Sequence, residues 1–539
     1  SVTQRCTYLN ALIKTGHTNV ALEQAQQLWL VGESQPKECD PLFEAWIAAG
    51  RLTPQLTWER IELAMDDQQT GLAGYLRRFL PAASRPSLDY WLRVHRDPDR
   101  LLEVDAPGSL PAALHQKILL HGLERLARNQ PRQAREVWEK LQHRHPFTQA
   151  QRNQAVTAIG LGLARISPPE SLNYLDRILT TPENLRVQEK RLRIALRQQD
   201  WERVLAWIDA LPEARRGEEG WRYWRARALG QLEREQDARE ILQGVARERS
   251  YYGFLAADRI GAKYKLTDTP VAVDPERLDA LARSASVQRA FELLALGRPA
   301  PARREWYWLT RDLDAAGLQA AAKLAQQRQW HDQAIFTLAK TGYWDDLELR
   351  FPLEYRDHVM QQATSHGLDP AWIYAVLRQE SAFAADARSP AGALGLMQLM
   401  PKTAQGVAKR QGQPRPGRYT LLRPRVNIRL GSAYLAQMCQ RFNRQPVLAT
   451  AAYNAGPHRV DRWYPDRAMD ADIWVATIPF RETRTYVRRV MSYRILYQDR
   501  LGLRPASLAS LMPPIGKETS RVGVLARCGG PAGATGGAG

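Results

Sequence analysis

The sequence predicts a mainly α protein: an irregular α-superhelix of stacked helix hairpins, a small helical linker domain, and a C-terminal domain of mixed α and β character. Three observations carry that prediction. From residue 1 to about 345, segments of ten to sixteen residues repeat apolar positions at helical spacing, broken by Gly, Pro or short polar turns. Within those segments a small residue stands four places before a large one, and no run alternates as a strand does. After Phe351 the texture changes, and helix-like stretches are separated by loops rich in Ala, Ser, Gly and Pro. A chain of 539 residues is too long for one core, and a prior of roughly one domain per 150 residues gives about three.

The superhelix is assigned to residues 1–263. NVALEQAQQLWL pairs Ala25 with Trp29, QPRQAREVWEKL pairs Ala134 with Trp138, and EREQDAREILQGV pairs Ala238 with Leu242. WHDQAIFTLAK, further on, pairs Ala334 with Leu338. Residues four apart share a helix face. The small one lets a neighbouring helix approach, and the large one fills the gap beside it. Stacked hairpins follow this logic, but the absence of a fixed period makes the array irregular. Acids and bases are plentiful here and form no cluster, so the region reads as a curved surface that holds a polymer or a partner. KYKLTDTPVAVDPERL and LGRPAPARREW then interrupt the helices, which places a linker domain over 264–350. Residues 506–539 end in VGVLARCGGPAGATGGAG, whose Gly and Ala content reads as a largely disordered tail.

With 44% hydrophobic and 25% charged residues, the composition is that of an ordinary globular chain, and no apolar run reaches the ~20 residues of a membrane span. The chain starts at Ser1 without a charged and apolar leader, which reads as a mature or N-terminally truncated form. A net charge of +19 attracts polyanions: nucleic acid, anionic lipid or an acidic cell-wall polymer. The basic residues are spread out, with no aromatic interleaving and no zinc-finger spacing, so nucleic-acid binding is disfavoured. The four Cys form no C-x-x-C pair, and no metal-ligand cluster is visible, so neither a metal nor another cofactor is expected. Cys6 and Cys39 could form a disulfide, worth ~3–4 kcal/mol in the chain-entropy model and implying an oxidising compartment. Two unpaired buried thiols are the other reading, and the sequence leaves both open.

The C-terminal domain is assigned to 351–505. Asp369-Pro370 is a helix start, with Asp as N-cap and Pro at the first position. Ile373, Val376 and Leu377 form one face of that helix, and Glu380 falls next on the same stripe. It therefore points inward, while Arg378 faces elsewhere. Burial disfavours a charged carboxyl and raises its pKa, which suits a general acid near neutral pH. The competing reading is a buried Glu satisfied by backbone N–H groups or an Arg. Ser389-Pro390-Ala391-Gly392 reads as a turn. Gly395-Leu396-Met397-Gln398 reads as a brief strand or extended loop leading to a helix at Pro401. Gln398 offers an amide donor and acceptor to sugar groups, and Met397 reads as core. NIRLGSAYLAQMCQRF is an amphipathic helix. VLATAAYNAG is a small-residue helix that brings Tyr453 and Asn454 to its end. The last helix starts near Glu482 and carries Tyr486, Val490, Tyr493 and Tyr497 as its apolar stripe; Glu482 also suits the helix dipole.

Four motifs, in order, resemble those of the soluble lytic transglycosylases of bacterial cell walls. They are Glu380-Ser381, Gly395-Leu396-Met397-Gln398, Ala452-Tyr453-Asn454-Ala455-Gly456, and Glu482-Thr483-Arg484 with Tyr486. The resemblance covers residues 1 to about 505 and includes the superhelix and linker. It implies a catalytic domain like goose-type lysozyme and cleavage of the MurNAc–GlcNAc β-1,4 bond of peptidoglycan without water, leaving 1,6-anhydromuramoyl ends. It implies Glu380 as the sole acid/base. Ser389, Gln398, Met400, Ala452, Tyr453, Asn454, Glu482 and Tyr486 are then expected to line the glycan cleft or support the acid. A periplasmic monomer acting on glycan strands follows, with peripheral contact to cell wall or outer membrane and cell-wall synthesis proteins as further partners. Full members of the family carry more N-terminal helices, so the chain reads as beginning inside the superhelix.

Two other readings compete. A lysozyme-type hydrolase on the same fold needs a second carboxylate, ~5–9.5 Å from the first, and the sequence offers Asp386 and Glu482. A non-catalytic helical scaffold that binds the cell wall is disfavoured by the intact Glu380, Gln398 and Tyr453.

Overall fold

The computed structural model describes residues 1–103, 105–108, 110–178, 180, 184–516 and 528–529. The chain divides into two compact units, residues 1–194 and 195–539. Both are built from helices, and among the described residues β structure is confined to three isolated bridges.

The first unit is a succession of short helices packed as hairpins. α1 (Val2–Lys14) and α2 (Thr18–Trp29) open it, and a disulfide from Cys6 to Cys39 staples this first hairpin. Further along come α3 (Ala112–Asn129), α4 (Pro131–Arg144), α5 (Gln149–Leu163), α6 (Pro168–Leu175) and α7 (Leu185–Gln198). The small-and-large pairs behave as their spacing predicts. Ala25, Trp29, Ala134 and Trp138 are all buried.

The second unit opens with short helices over Trp201–Asp209 and Glu213–Arg216 and continues with three more of the same kind: α8 (Glu219–Gln231), α9 (Glu235–Val245) and α10 (Tyr251–Ile260). An extended segment follows, pinned by Val271 N–H donating to Asp346 and Leu347 N–H donating to Asp268. α11 (Pro299–Arg311), α12 (Ala315–Gln327) and α13 (His331–Ala339) then surround a separate apolar cluster that includes Trp306, Trp330, Ala334 and Leu338. This cluster gives the linker region its own core.

The remaining helices hold the site. α14 (Pro370–Glu380) packs along α18 (Arg481–Arg500), with α15 (Pro401–Arg410), α16 (Pro424–Arg441) and α17 (Pro446–Ala455) around them. Asp369 caps α14 through the Ala371 N–H at 2.9 Å. Its other oxygen accepts from Arg494 and Gln498 of α18, each at 2.7 Å, with Asp369 and Arg494 fully buried. That pair fixes α14 against α18. Tyr374 stacks on Tyr497 in the same seam, with centroids 5.0 Å apart.

Within 506–539, expected to be largely disordered, residues 506–516 and 528–529 are described. Ile515 pairs with Met469, Leu508 N–H donates to Tyr264, and Ala509 N–H donates to Asp258. Cys528 forms a disulfide with Cys439 of α16, and its carbonyl accepts the Asp369 N–H. Residues 517–527 and 530–539 lie outside the described residues.

Candidate functional site

Glu380 is the last residue of α14. The helix stops there because the next residues turn sharply: Ala382 and Phe383 take φ of 50° and 72°. Such left-handed conformations cost a non-glycine residue ~1–3 kcal/mol each and persist only when held. Ser381 holds them, its hydroxyl accepting the Phe383 N–H at 3.1 Å. The Glu-Ser pair thus works as a unit: the serine closes the turn that leaves the carboxyl at the helix end.

Glu380 lines a cavity of about 370 Å³ together with Gln398, Arg303 of α11 and Phe336 of α13. The Tyr486 hydroxyl donates to its Oε1 at 2.7 Å. No described cation forms an ion pair with it. Desolvation pushes its pKa up to about 8; the Tyr486 bond pulls the other way, and the charge of Glu482 adds to the rise. The carboxyl is therefore protonated at neutral pH.

Asp386, on the same turn, has the opposite surroundings. Arg303 grips it with two 2.7 Å bonds and also donates to Asp332 at 3.0 Å. This pairing holds the Asp386 carboxyl below the usual range. Asp386 is thus engaged in an ion pair from the linker region and is not the free second carboxylate a hydrolase would need. Glu482 is exposed in the first turn of α18, close enough to act on Glu380 through its charge.

The other expected residues fall into two groups. Gln398 reaches the cavity, but its amide nitrogen donates to the carbonyls of Ala387 and Gly395, so it ties the loop together from within. Met400 is 43% exposed at the start of α15. Ser389 serves the turn, its hydroxyl accepting the Ala393 N–H. Tyr453 is buried and donates to the Met397 carbonyl at 2.9 Å, fixing the loop floor. Ala452 is fully buried, and Asn454 accepts from the Thr483 hydroxyl, joining α17 to α18.

The sequence reading missed two contributors. Asn427 of α16 is fully buried and supports the loop from below, accepting from Met397 N–H and donating to the carbonyls of Leu394 and Leu421. Its signal was a polar residue inside an otherwise apolar helix stripe. Gly395 sits directly over it with φ of 74°, and a Cβ there would strike Asn427. Arg303 was the other, and no local pattern marked it, because its partner lies 83 residues away.

Among the described residues no group of three or more His, Cys, Asp or Glu could hold a metal ion, and no helix is long and apolar enough to cross a membrane.

Comparison with known proteins bears on this geometry. Residues 357–474 match the transglycosylase SLT domain, and 280–347 match the soluble lytic murein transglycosylase L domain. Residues 477–505 match the soluble lytic transglycosylase helical domain. The chain is similar to the soluble lytic murein transglycosylase of Escherichia coli K12, 32% identical over 513 residues, covering 94% of this chain and 79% of that protein. A lytic transglycosylase of Pseudomonas aeruginosa, solved as an inactive mutant, aligns with a TM-score of 0.80 at 37% identity, over 94% of this chain and 82% of that one. The 70-kDa soluble lytic transglycosylase in complex with bulgecin A aligns with a TM-score of 0.82 at 30% identity, over the same shares.

Proposed function

The chain belongs to the soluble lytic murein transglycosylases, and from that premise we propose that Glu380 is its acid and its base. It cleaves the MurNAc–GlcNAc β-1,4 bond of peptidoglycan. The carrying observation is a carboxyl raised to about 8 that has a tyrosine hydroxyl as its partner. Protonated Glu380 gives its proton to the glycosidic oxygen as the C1–O bond breaks, and the GlcNAc 4-hydroxyl leaves. The positive charge at C1 is shared by the substrate's own N-acetyl group. The carboxylate then takes the proton of the muramoyl C6 hydroxyl while that oxygen bonds to C1. The anhydro ring closes, Glu380 is again protonated, and no water is consumed. Tyr486 supports the step that leaves Glu380 negative, since its hydroxyl bond favours the carboxylate.

The pairing of Asp386 with Arg303 favours this route over hydrolysis, because it engages one of the two candidates for a water-activating base. Gln398, Met400 and Asn454 are proposed as cleft or cleft-edge residues, with Tyr453 and Ser389 shaping the loop. The proposed domain limits remain 1–263, 264–350 and 351–505, and the proposed location is the periplasm. Mass spectrometry of fragments released from purified sacculi tests the reading. Muramoyl ends lighter by one water are expected; reducing ends alone would replace it with lysozyme-type hydrolysis.

A further inference from the structure

The first unit contains a second concavity that plays no part in the chemistry above. Between α3, α5 and α7 lies a cavity of about 850 Å³, within the size range of sites for organic ligands. It exists because α5 is pressed against the end of α3. Gly162 permits that approach, since a Cβ there would strike the Ala127 carbonyl. Ala158, Leu161 and Val187 form an apolar floor, and Asn153 stands beside them.

A second cavity of about 550 Å³ adjoins it. The two share Glu124, Arg128 and Gln154 in their walls, so they form one furrow. Charge is unevenly divided along it. In the smaller part Lys117 is paired with Glu62 and Asp66. In the larger part Arg128, Arg165 and Lys190 meet one carboxylate, Glu124, which accepts from Gln154 at 2.8 Å. Among the described residues no carboxylate pairs with Arg128, Arg165 or Lys190. Arg165 instead caps α3 through the carbonyls of Ala127 and Arg128.

An apolar floor, side-chain amides and unneutralised cations suit a ligand that combines ring faces, acetamido and peptide groups, and carboxylates. The geometry points to a second, non-catalytic binding site in the first unit for acidic muropeptide, the glycan and stem peptide of the polymer this enzyme cuts. The inference rests on the peptidoglycan reading for the choice of ligand and not on the role of Glu380.

The test is calorimetric titration of the full chain carrying Glu380→Gln with the purified anhydro-disaccharide tetrapeptide. Two sites per chain are expected. Arg128→Glu with Lys190→Glu, both at exposed side chains, should remove one site and leave the other, with the thermal midpoint unchanged. Asn153→Trp, which plugs the furrow without altering its charge, should remove the same site. A single site in the parent chain overturns the inference, and so do two sites surviving in both furrow variants. Failure of the catalytic reading would show separately, as the absence of anhydro ends from sacculi treated with the unmodified chain.

Discussion

Two carboxyls six residues apart on one turn, Glu380 and Asp386, meet opposite fates. Glu380 is half-buried with a tyrosine hydroxyl on its Oε1, no cation among the described residues forms an ion pair with it, and its pKa rises to about 8. Asp386 is gripped by both ends of the Arg303 guanidinium and stays ionised. The same chemical group becomes a proton donor in one place and a structural anchor in the other. What differs is the partner, and the partner of the anchor comes from the linker region. Asp369 adds a third case: fully buried like a core residue, yet paired with Arg494 at 2.7 Å.

Removing the donor gives the largest expected effect. Glu380→Gln should lower release of muropeptides from sacculi by about 10³-fold or more, because an amide cannot deliver the proton. The fold should be retained, as circular dichroism would show. Breaking the buried pair comes next. Asp369→Ala leaves Arg494 unpaired and should cost about 3–5 kcal/mol in denaturant unfolding.

Breaking the anchor should act through geometry. Arg303→Ala frees the turn that carries Glu380, and a displacement of an ångström costs up to about 10²-fold in rate. The expected signature is a fall in kcat of about 10–100-fold with the alkaline limb of the pH profile unmoved. Arg303→Lys should restore part of it, since a single ammonium replaces the two-pronged grip only in charge.

The smallest effects should sharpen the comparison by their opposite signs. Tyr486→Phe removes a bond that lowers the Glu380 pKa, so the alkaline limb should move to higher pH. Glu482→Gln removes a charge that raises it, so the limb should move to lower pH. Each rate change at neutral pH should stay near tenfold or below, in keeping with one hydrogen bond of ~1.5 kcal/mol or one exposed charge. Shifts of the same sign in both variants would mean that these groups do not act on Glu380 as described.

Much of the site was legible because it is local. The inward stripe of Ile373, Val376, Leu377 and Glu380, the Asp369 cap and the Ala-Trp pairs all follow from helix periodicity. The parts that escaped are long-range. Gln398 was read as a hand extended to the substrate, but its nitrogen is turned back to its own loop, adding a second donor to the Ala387 and Gly395 carbonyls that already accept backbone N–H groups. Arg303 and Asn427 act across elements, and the Cys439–Cys528 disulfide joins a helix to a tail whose composition suggested disorder.

Acid catalysis by Glu380 requires that it keep its proton at neutral pH. A ¹³C NMR titration of glutamate carboxyls, comparing the unmodified chain with Glu380→Gln to assign the resonance, reads this directly. A midpoint near 8 is predicted for the resonance that the substitution removes. A midpoint in the ordinary range of ~4–5 would contradict the account, because the carboxyl would then be ionised at the pH where it has to act as an acid.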